Sequence, residues 1–484
     1  MKFSRDKILE IVSTTFGEPI ENLDDETGPS DVSGWDSLGQ LQLIEAIETE
    51  FDIKLSIDQV ISINSIKDID AVLNAVPTET SEETIDDAPA SPSPVAVKEP
   101  QSVRSDAAFM PKPKNYASFH SPSVIYYGSG STESLNDLLE GAGIVIITTP
   151  STLPIAEKIQ NNLREASNLS YIYEKPSGEP KEDDIRNCAV TLSEKKTNVI
   201  IALGGGSTID FAKLSWALFE HPNLTAEDLA STFRIPPLKS CRLIAIPTLF
   251  GSGSEASSSA TFTKLNETKK SISVSHDYIP EIVILDESLP SRSNLPLVVR
   301  GIFDALSHAI EGFVSPIENT MAKSFSAPAI RLLINSLDTI NSTRKISIET
   351  LHIIAKATFW ASLVQNHCSV GLTHSIAHRL SDILPHALGT SFFLVPVMEA
   401  NIKKCDNYGD LALECGHQSA DSFLSRIKEL YSQSSIRPTT DDIGQIKSRL
   451  QQVLPDIRKD ITFRTNPVQY DDDQIRAILT EALG

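Results

Sequence analysis

Residues 77–114 divide this chain. The stretch PTETSEETIDDAPASPSPVAVKEPQSVRSDAAFMPKPK holds seven prolines, no glycine and one aromatic side chain. So little apolar surface cannot offset the entropy of ordering, and the prolines favour extended backbone. The segment predicts a linker with a mean span of roughly 30–40 Å from flexible-coil scaling. Folding must then occur separately on either side, in a short unit over 1–76 and a long one over 115–484.

The long unit has ample length for a two-part core. A formal net charge of −22 excludes a general affinity for nucleic acid, because no basic patch would outweigh that field. Five scattered cysteines (Cys188, Cys241, Cys368, Cys405, Cys415) form no CxxC pair, which suits reduced thiols rather than a zinc knuckle or redox motif. The N-terminal MKFSRDKILEIVSTTF carries acids inside its apolar run, unlike a signal peptide. No apolar run approaches the roughly 20 residues that span a bilayer. The expectation is a soluble cytoplasmic protein with no membrane partner.

Over 1–76, three stretches repeat a helical apolar stripe: Ile8, Ile11, Val12 and Phe16; Leu38, Leu41, Ile44, Ile47 and Phe51; Ile66, Ile69, Val72 and Leu73. They predict an all-α bundle of three to four helices. Asp36 suits the N-cap of the second, which puts Ser37 at its first position, with Glu45, Glu48 and Glu50 expected on the solvated face. As a bare tripeptide, WDS is no more than a helix start. A small acidic bundle with Asp-Ser-Leu opening its second helix and a proline-rich tether behind it resembles an acyl carrier domain. The resemblance covers about residues 1–76. It implies 4′-phosphopantetheine on Ser37, a phosphopantetheinyl transferase and an acyl- or aminoacyl-loading enzyme as partners. The run GWDSLGQLQLI is most similar to small carriers of hydroxyacid or aminoacyl units.

Beyond the linker, GIVIITTP, TNVIIALGGG, CRLIAIPT and EIVILDES are short apolar runs ending in turn residues, alternating with helical segments. That alternation predicts an α/β dinucleotide-binding domain with a parallel sheet over 115–294. From about residue 295 strand signals vanish, and an all-helical subdomain is expected over 295–484.

Two glycine-rich turns follow successive strands, Gly204–Gly206 and the run IPTLFGSGSEAS. Glycines let backbone approach a diphosphate, and a helix N-terminus favours the anion. Neither turn matches GxGxxG. The run GGGSTIDFAK instead resembles the GGGSxxDxAK element of the iron-containing (group III) alcohol dehydrogenase family. YYGSGSTESL, IPTLFGSGSE and NPVQYDDDQIRAIL extend that resemblance over 115–484. It implies NAD or NADP bound through Gly204, Gly205, Gly206, Ser207, Asp210, Lys213, Thr248 and Ser252. Thr149, Pro150 and Ser151 stand where an Asp often holds the adenosine ribose, which leaves room for a 2′-phosphate and the choice of cofactor open. Leu249 and Phe250 replace the small or hydroxylated residues usual in the second turn.

FDALSHAIEGF carries Asp304 and His308 four apart, and LTHSIAHRLSDILPHALG carries His374, His378 and His386. Side chains four apart share a helix face, so each pair can converge. Alone, an Asp–His pair is more often a surface contact. Together, one Asp and three His suit Fe(II), with Zn(II) the alternative, and leave a position for substrate. The resemblance assigns Asp304, His308, His374 and His386 as metal ligands and His378 to proton transfer or cofactor contact. His367 has no counterpart and is assigned a structural role.

The implied activity is a metal-dependent NAD(P)-linked alcohol dehydrogenase or carbonyl reductase, acting on a substrate held by its own carrier. Three other readings were open: a dehydrogenase for a free aldehyde or alcohol whose carrier docks other pathway enzymes; a catalytically dead scaffold; and a lyase related to dehydroquinate synthase. A homodimer is compatible with any of them.

Overall fold

The computed structural model describes residues 4–75 and 118–484, apart from 30, 33–34, 36, 52, 54, 56–58, 61–62, 140–142, 166–168, 231–234, 268–269 and 291–293. The expected linker and the Asp36 cap lie outside the described residues.

Among the described residues, the N-terminal unit holds the helices α1 (Arg5–Phe16), α2 (Ser37–Phe51) and α3 (Ile66–Ala75). Their apolar stripes close on one another. Ile8, Val12, Ile44, Ile47, Ile66, Ile69 and Leu73 are buried, and Trp35 stacks on Phe16 at 5.3 Å between centroids. The helix α1 stops at Gly17, whose left-handed backbone (φ 71°) turns its N–H onto the Ser13 carbonyl. Ser37 is the first residue of α2. One expectation fails here. Glu48 is buried rather than solvated, because Arg464, more than four hundred positions later, meets its carboxylate at 3.0 Å. Glu50 is exposed as expected.

The central unit is a six-stranded sheet in the order β1-β8-β5-β4-β2-β3, every pair parallel. Its strands are β1 (Val124–Tyr127), β2 (Gly143–Thr148), β3 (Leu169–Glu174), β4 (Val199–Gly204), β5 (Arg242–Pro247) and β8 (Ile282–Leu285). The helices α4 (Leu153–Glu165), α5 (Glu182–Glu194) and α6 (Gly206–Glu220) are the crossovers among β2, β3, β4 and β5. β4 and β5 are buried almost throughout, which is why they read as continuous apolar runs rather than alternating ones. A short antiparallel pair, β6 (Ser259–Thr263) and β7 (Lys270–Val274), was not anticipated. Its serine- and threonine-rich strands lack the apolar alternation by which a strand is recognised.

Helices alone follow: α7 (Leu295–Val314), α8 (Ser326–Thr343), α9 (Ile348–Cys368), α10 (Leu372–Arg379), α11 (His386–Asn401), α12 (Asn407–Glu414), α13 (Ala420–Gln433), α14 (Thr440–Lys459) and α15 (Asp472–Leu483), with a 3₁₀ turn at Ile461–Thr465. The break between β8 and α7 is no break in packing. One buried cluster runs from Val145 on the sheet, through Ile302 and Leu306 on α7, to Ile436. The last helices enclose a smaller cluster of their own. Among the described residues, no helix is long and apolar enough to cross a membrane.

Candidate active site

Sheet order locates the first half of the site. The chain leaves β2 for β3 on one side and returns to place β4 on the other, so the crevice lies at the carboxyl ends of β2 and β4. Gly204 closes β4, and α6 begins at Gly206. Gly205 caps that helix in extended backbone with no side chain, so the first amides and the positive end of the helix dipole face the crevice. A methyl on Gly206 would overlap the Ser252 hydroxyl, so the two glycine-rich turns touch through a space only glycine leaves. Thr248 joins them, its N–H bonded to the Gly204 carbonyl at 2.9 Å. Ser252 is exposed on that rim and Ser207 half-buried.

Asp210 and Lys213 sit deeper. Lys213 is fully buried and donates to the carbonyls of Ser254, Ser257 and Ser259 at 2.7, 2.8 and 2.9 Å. Burial lowers its pKa to about 8, against the pull of Asp210 and Glu255. Asp210 accepts from the Ser254 hydroxyl and from the backbone and hydroxyl of Thr261. Both polar ends hold the second turn from beneath. At the end of β2, the Thr149 hydroxyl lies 3.0 Å from those of Ser151 and Thr152.

The second half forms where α7, α10 and α11 meet. Asp304 and His308 share one face of α7, His374 lies on α10, and His386 opens α11 after Pro385. The Nε2 atoms of His308, His374 and His386 stand 4.0, 3.9 and 3.6 Å from Asp304 Oδ1. Ligand atoms of Asp304, His308 and His374 lie within 4.8 Å of one another. A metal–nitrogen bond of about 2.1 Å implies tetrahedral donor–donor edges of roughly 3.4 Å, so the cluster is only slightly wider than an ion requires. Asp304, His308 and His374 are buried, whereas the His386 side chain is 29 % exposed.

Electrostatics agree with that geometry. Burial pushes the Asp304 carboxyl up to about 6, against the opposing pull of His374 and the Thr390 hydroxyl. Burial, reinforced by His374 and His378, holds His308 and His386 well below the ordinary histidine value, so both are neutral lone-pair donors. His374 Nδ1 lies 2.6 Å from Glu311 Oε2, which fixes the proton there and leaves Nε2 as the lone pair. That Nε2 is buried with no hydrogen-bond partner among the described residues. An orphaned buried nitrogen facing a carboxylate and two neutral imidazoles fits a divalent ion.

His378 stands beside the cluster, its ring 5.4 Å from that of His386 and 6.0 Å from that of His374. Its Nδ1 is 3.3 Å from Asp460 Oδ2, and Arg379 reaches the same oxygen at 2.7 Å. Burial alone would raise the Asp460 carboxyl; His378, Arg379 and Thr462 hold it well below the usual carboxylate range. His367 lies apart, bonded to the His120 backbone N–H and the Leu363 carbonyl and stacked on Phe119 at 4.4 Å.

Sequence reasoning missed three residues here. Glu311 follows His308 by three positions on the α7 stripe, so its spacing could have revealed it. Thr390, which donates to Asp304 at 2.8 Å, lies four after His386 and was legible the same way. Asp460 had no local signal.

The model described as iron-containing alcohol dehydrogenase matches residues 122–287, and that of the family's C-terminal part matches 298–483. This chain belongs to the iron-containing alcohol dehydrogenase family. A phosphopantetheine attachment site model matches residues 6–72, so the dehydrogenase is preceded by a carrier domain. Among similar proteins, an NADPH-dependent butanol dehydrogenase of Clostridium saccharobutylicum is 25 % identical over 376 residues, covering 74 % of this chain and 96 % of its own. An alcohol dehydrogenase of Thermococcus barophilus is 26 % identical over 372 residues, 74 % of this chain and 97 % of its own. The solved iron-containing alcohol dehydrogenase of Thermococcus thioreducens superposes with a TM-score of 0.69 at 24 % identity, over 76 % of this chain and 99 % of its own. As a dehydrogenase of this family the chain uses NAD(P) and a metal. Its carrier domain implies phosphopantetheine and the transferase that attaches it.

Proposed function

We propose that this dehydrogenase interconverts a carbonyl and a hydroxyl group on a substrate carried by phosphopantetheine at Ser37 of its own carrier domain. The observation that carries the metal-dependent part is the approach of three imidazole Nε2 atoms to within 3.6–4.0 Å of Asp304 Oδ1. Asp304, His308, His374 and His386 would hold Fe(II), with Zn(II) compatible with the same oxygen and nitrogen donors. When bound, the ion supplies Lewis acidity toward the substrate oxygen and the nicotinamide supplies the hydride. Glu311 fixes the tautomer of His374, Thr390 orients Asp304, and the buried positions of both keep water from competing for the donors. His378, backed by Asp460, takes or delivers the hydroxyl proton at its ring nitrogen. Gly204–Gly206, Ser207, Thr248 and Ser252 line the diphosphate crevice, and Asp210 and Lys213 hold its second turn in place.

Carriage on Ser37 is supported by the presence of carrier and dehydrogenase in one polypeptide, because tethering raises local substrate concentration without any new contact. The test compares one aldehyde-bearing carboxylic acid presented free and as a phosphopantetheine thioester, joined through its carboxyl group, on the full chain, following nicotinamide absorbance. Tethered substrate should turn over faster at equal total concentration, and Ser37→Ala should abolish that advantage. Equal rates for both forms would transfer the activity to free aldehydes and leave the carrier to other enzymes.

A further inference from the structure

The acidic helix of the carrier is not a bare face. Glu48, near the end of α2, is buried, and its two oxygens are divided between partners. Oε1 accepts the Leu55 N–H at 2.9 Å within the carrier, and Oε2 meets Arg464 Nη2 at 3.0 Å. Their side chains are 5 % and 16 % exposed. Among the described residues, Arg464 Nη1 is buried without a hydrogen-bond partner, so the guanidinium draws its counter-charge from across the gap rather than from its own lobe. A buried charge stripped of its partner is costly, which makes this pair selective for the matching carboxylate.

The turn Ile461–Thr465 that bears Arg464 also anchors the catalytic helix α10. Asp460, immediately before it, holds His378 and Arg379. The Thr462 and Ser375 hydroxyls lie 2.8 Å apart, and Thr465 donates to the Val370 carbonyl. Among the described residues, the buried apolar clusters of the two units share no residue: that of the carrier runs from Ile8 to Leu73, and that of the last helices from Leu372 to Leu483. Among the described residues, an ion pair closes the contact.

We infer that the turn Ile461–Thr465 is the carrier's docking site on its own dehydrogenase, with Arg464 the receptor and Glu48 the recognition residue. The inference goes beyond the proposed reaction and does not depend on it: docking requires neither a substrate nor a loaded Ser37. It places the carrier on the segment that fixes His378. About 16 Å of helix rise separates Glu48 from Ser37, so the residue that docks is not the residue that is modified.

Hydrogen exchange by mass spectrometry on the full chain, without substrate, tests it. Three variants are compared with the parent: Arg464→Glu, Glu48→Gln, which keeps an acceptor for Leu55, and the exchanged pair Glu48→Arg with Arg464→Glu. Each single variant should speed exchange at least threefold in peptides from both sides of the contact, spanning 44–55 and 461–466, and the exchanged pair should restore protection in 461–466, Glu48→Arg having removed the acceptor of the Leu55 N–H on the other side. Faster exchange only on the substituted side, or no change on either side, would overturn the inference. Glu48→Gln keeps the test decisive if Arg464→Glu disturbs its own turn. Because no turnover is read, failure here leaves the proposed reaction standing, and failure of that reaction leaves the dock standing.

Discussion

Glu311 Oε2 lies 2.6 Å from His374 Nδ1, and Oε1 of the same carboxylate accepts the Thr373 N–H at 2.7 Å. One side chain of α7 thus sets both the tautomer of His374 and the start of the helix that bears it. Glu311→Gln removes the charge and turns an acceptor into an ambiguous partner. Metal affinity should fall about 10- to 100-fold, as for other partners behind a ligating histidine. Chelator competition followed by metal analysis reads this directly. Full metal retention at the parent's affinity would show that His374 needs no such clamp.

His386 and His378 are neighbours with different assigned roles, and one experiment separates them. His386→Ala should lose metal and activity together. His378→Ala should keep its metal and lose about 10²- to 10⁴-fold in kcat through the missing proton relay. Metal loss in the second variant would make His378 a ligand.

Gly206→Ala drives a methyl into the Ser252 hydroxyl where the two turns meet. Cofactor affinity should fall at least about tenfold with metal content unaltered, since overpacking of this kind costs about 1–3 kcal/mol. Ser252→Gly in the same background should recover most of it. Isothermal titration with the oxidised cofactor measures both.

The end of β2 presents hydroxyls from Thr149, Ser151 and Thr152 and no carboxylate. NADP(H) should therefore be used in preference to NAD(H). Thr149→Asp installs a negative charge that repels a 2′-phosphate, and the ratio of kcat/KM values should move toward NAD(H) by about tenfold or more. An unmoved ratio would place the phosphate elsewhere.

Lys213 gives a pH signature. Its pKa falls from 10.5 to about 8 on burial, so between these values the folded chain binds fewer protons than the unfolded one. The lysine's contribution to stability therefore rises as pH is raised from about 8 toward 10.5. Lys213→Met abolishes that rise. It also orphans three carbonyls at about 1–3 kcal/mol each, so it should melt well below the parent at neutral pH. Thermal melts of both proteins between pH 7 and 10 check the two effects together.

Local spacing accounts for what the sequence disclosed. Asp304 with His308 sits on one helix, His374 and His386 open two consecutive helices, and the glycine turns follow buried strands; all of these leave traces within a dozen residues. Glu311 and Thr390 left the same trace and were passed over because polar residues on helix stripes usually face water. Asp460 and Arg464 belong to another class. Each acts on a residue 82 or more positions distant, and only the folded chain brings them together. The buried Glu48 misled for the same reason, since a glutamate on an acidic helix has no mark of its distant arginine. The β6–β7 pair escaped because its polar strands carry no period-two contrast.

The Glu48–Arg464 ion pair joins two parts of a single polypeptide, and that fixes how it responds to its surroundings. Dilution cannot weaken it, since partner concentration is set by the covalent connection rather than by the amount of protein in the tube. Added salt screens it only weakly, because both side chains are largely withdrawn from solvent. The arm therefore stays seated at any protein concentration, and its release needs a change in the two side chains rather than in the buffer.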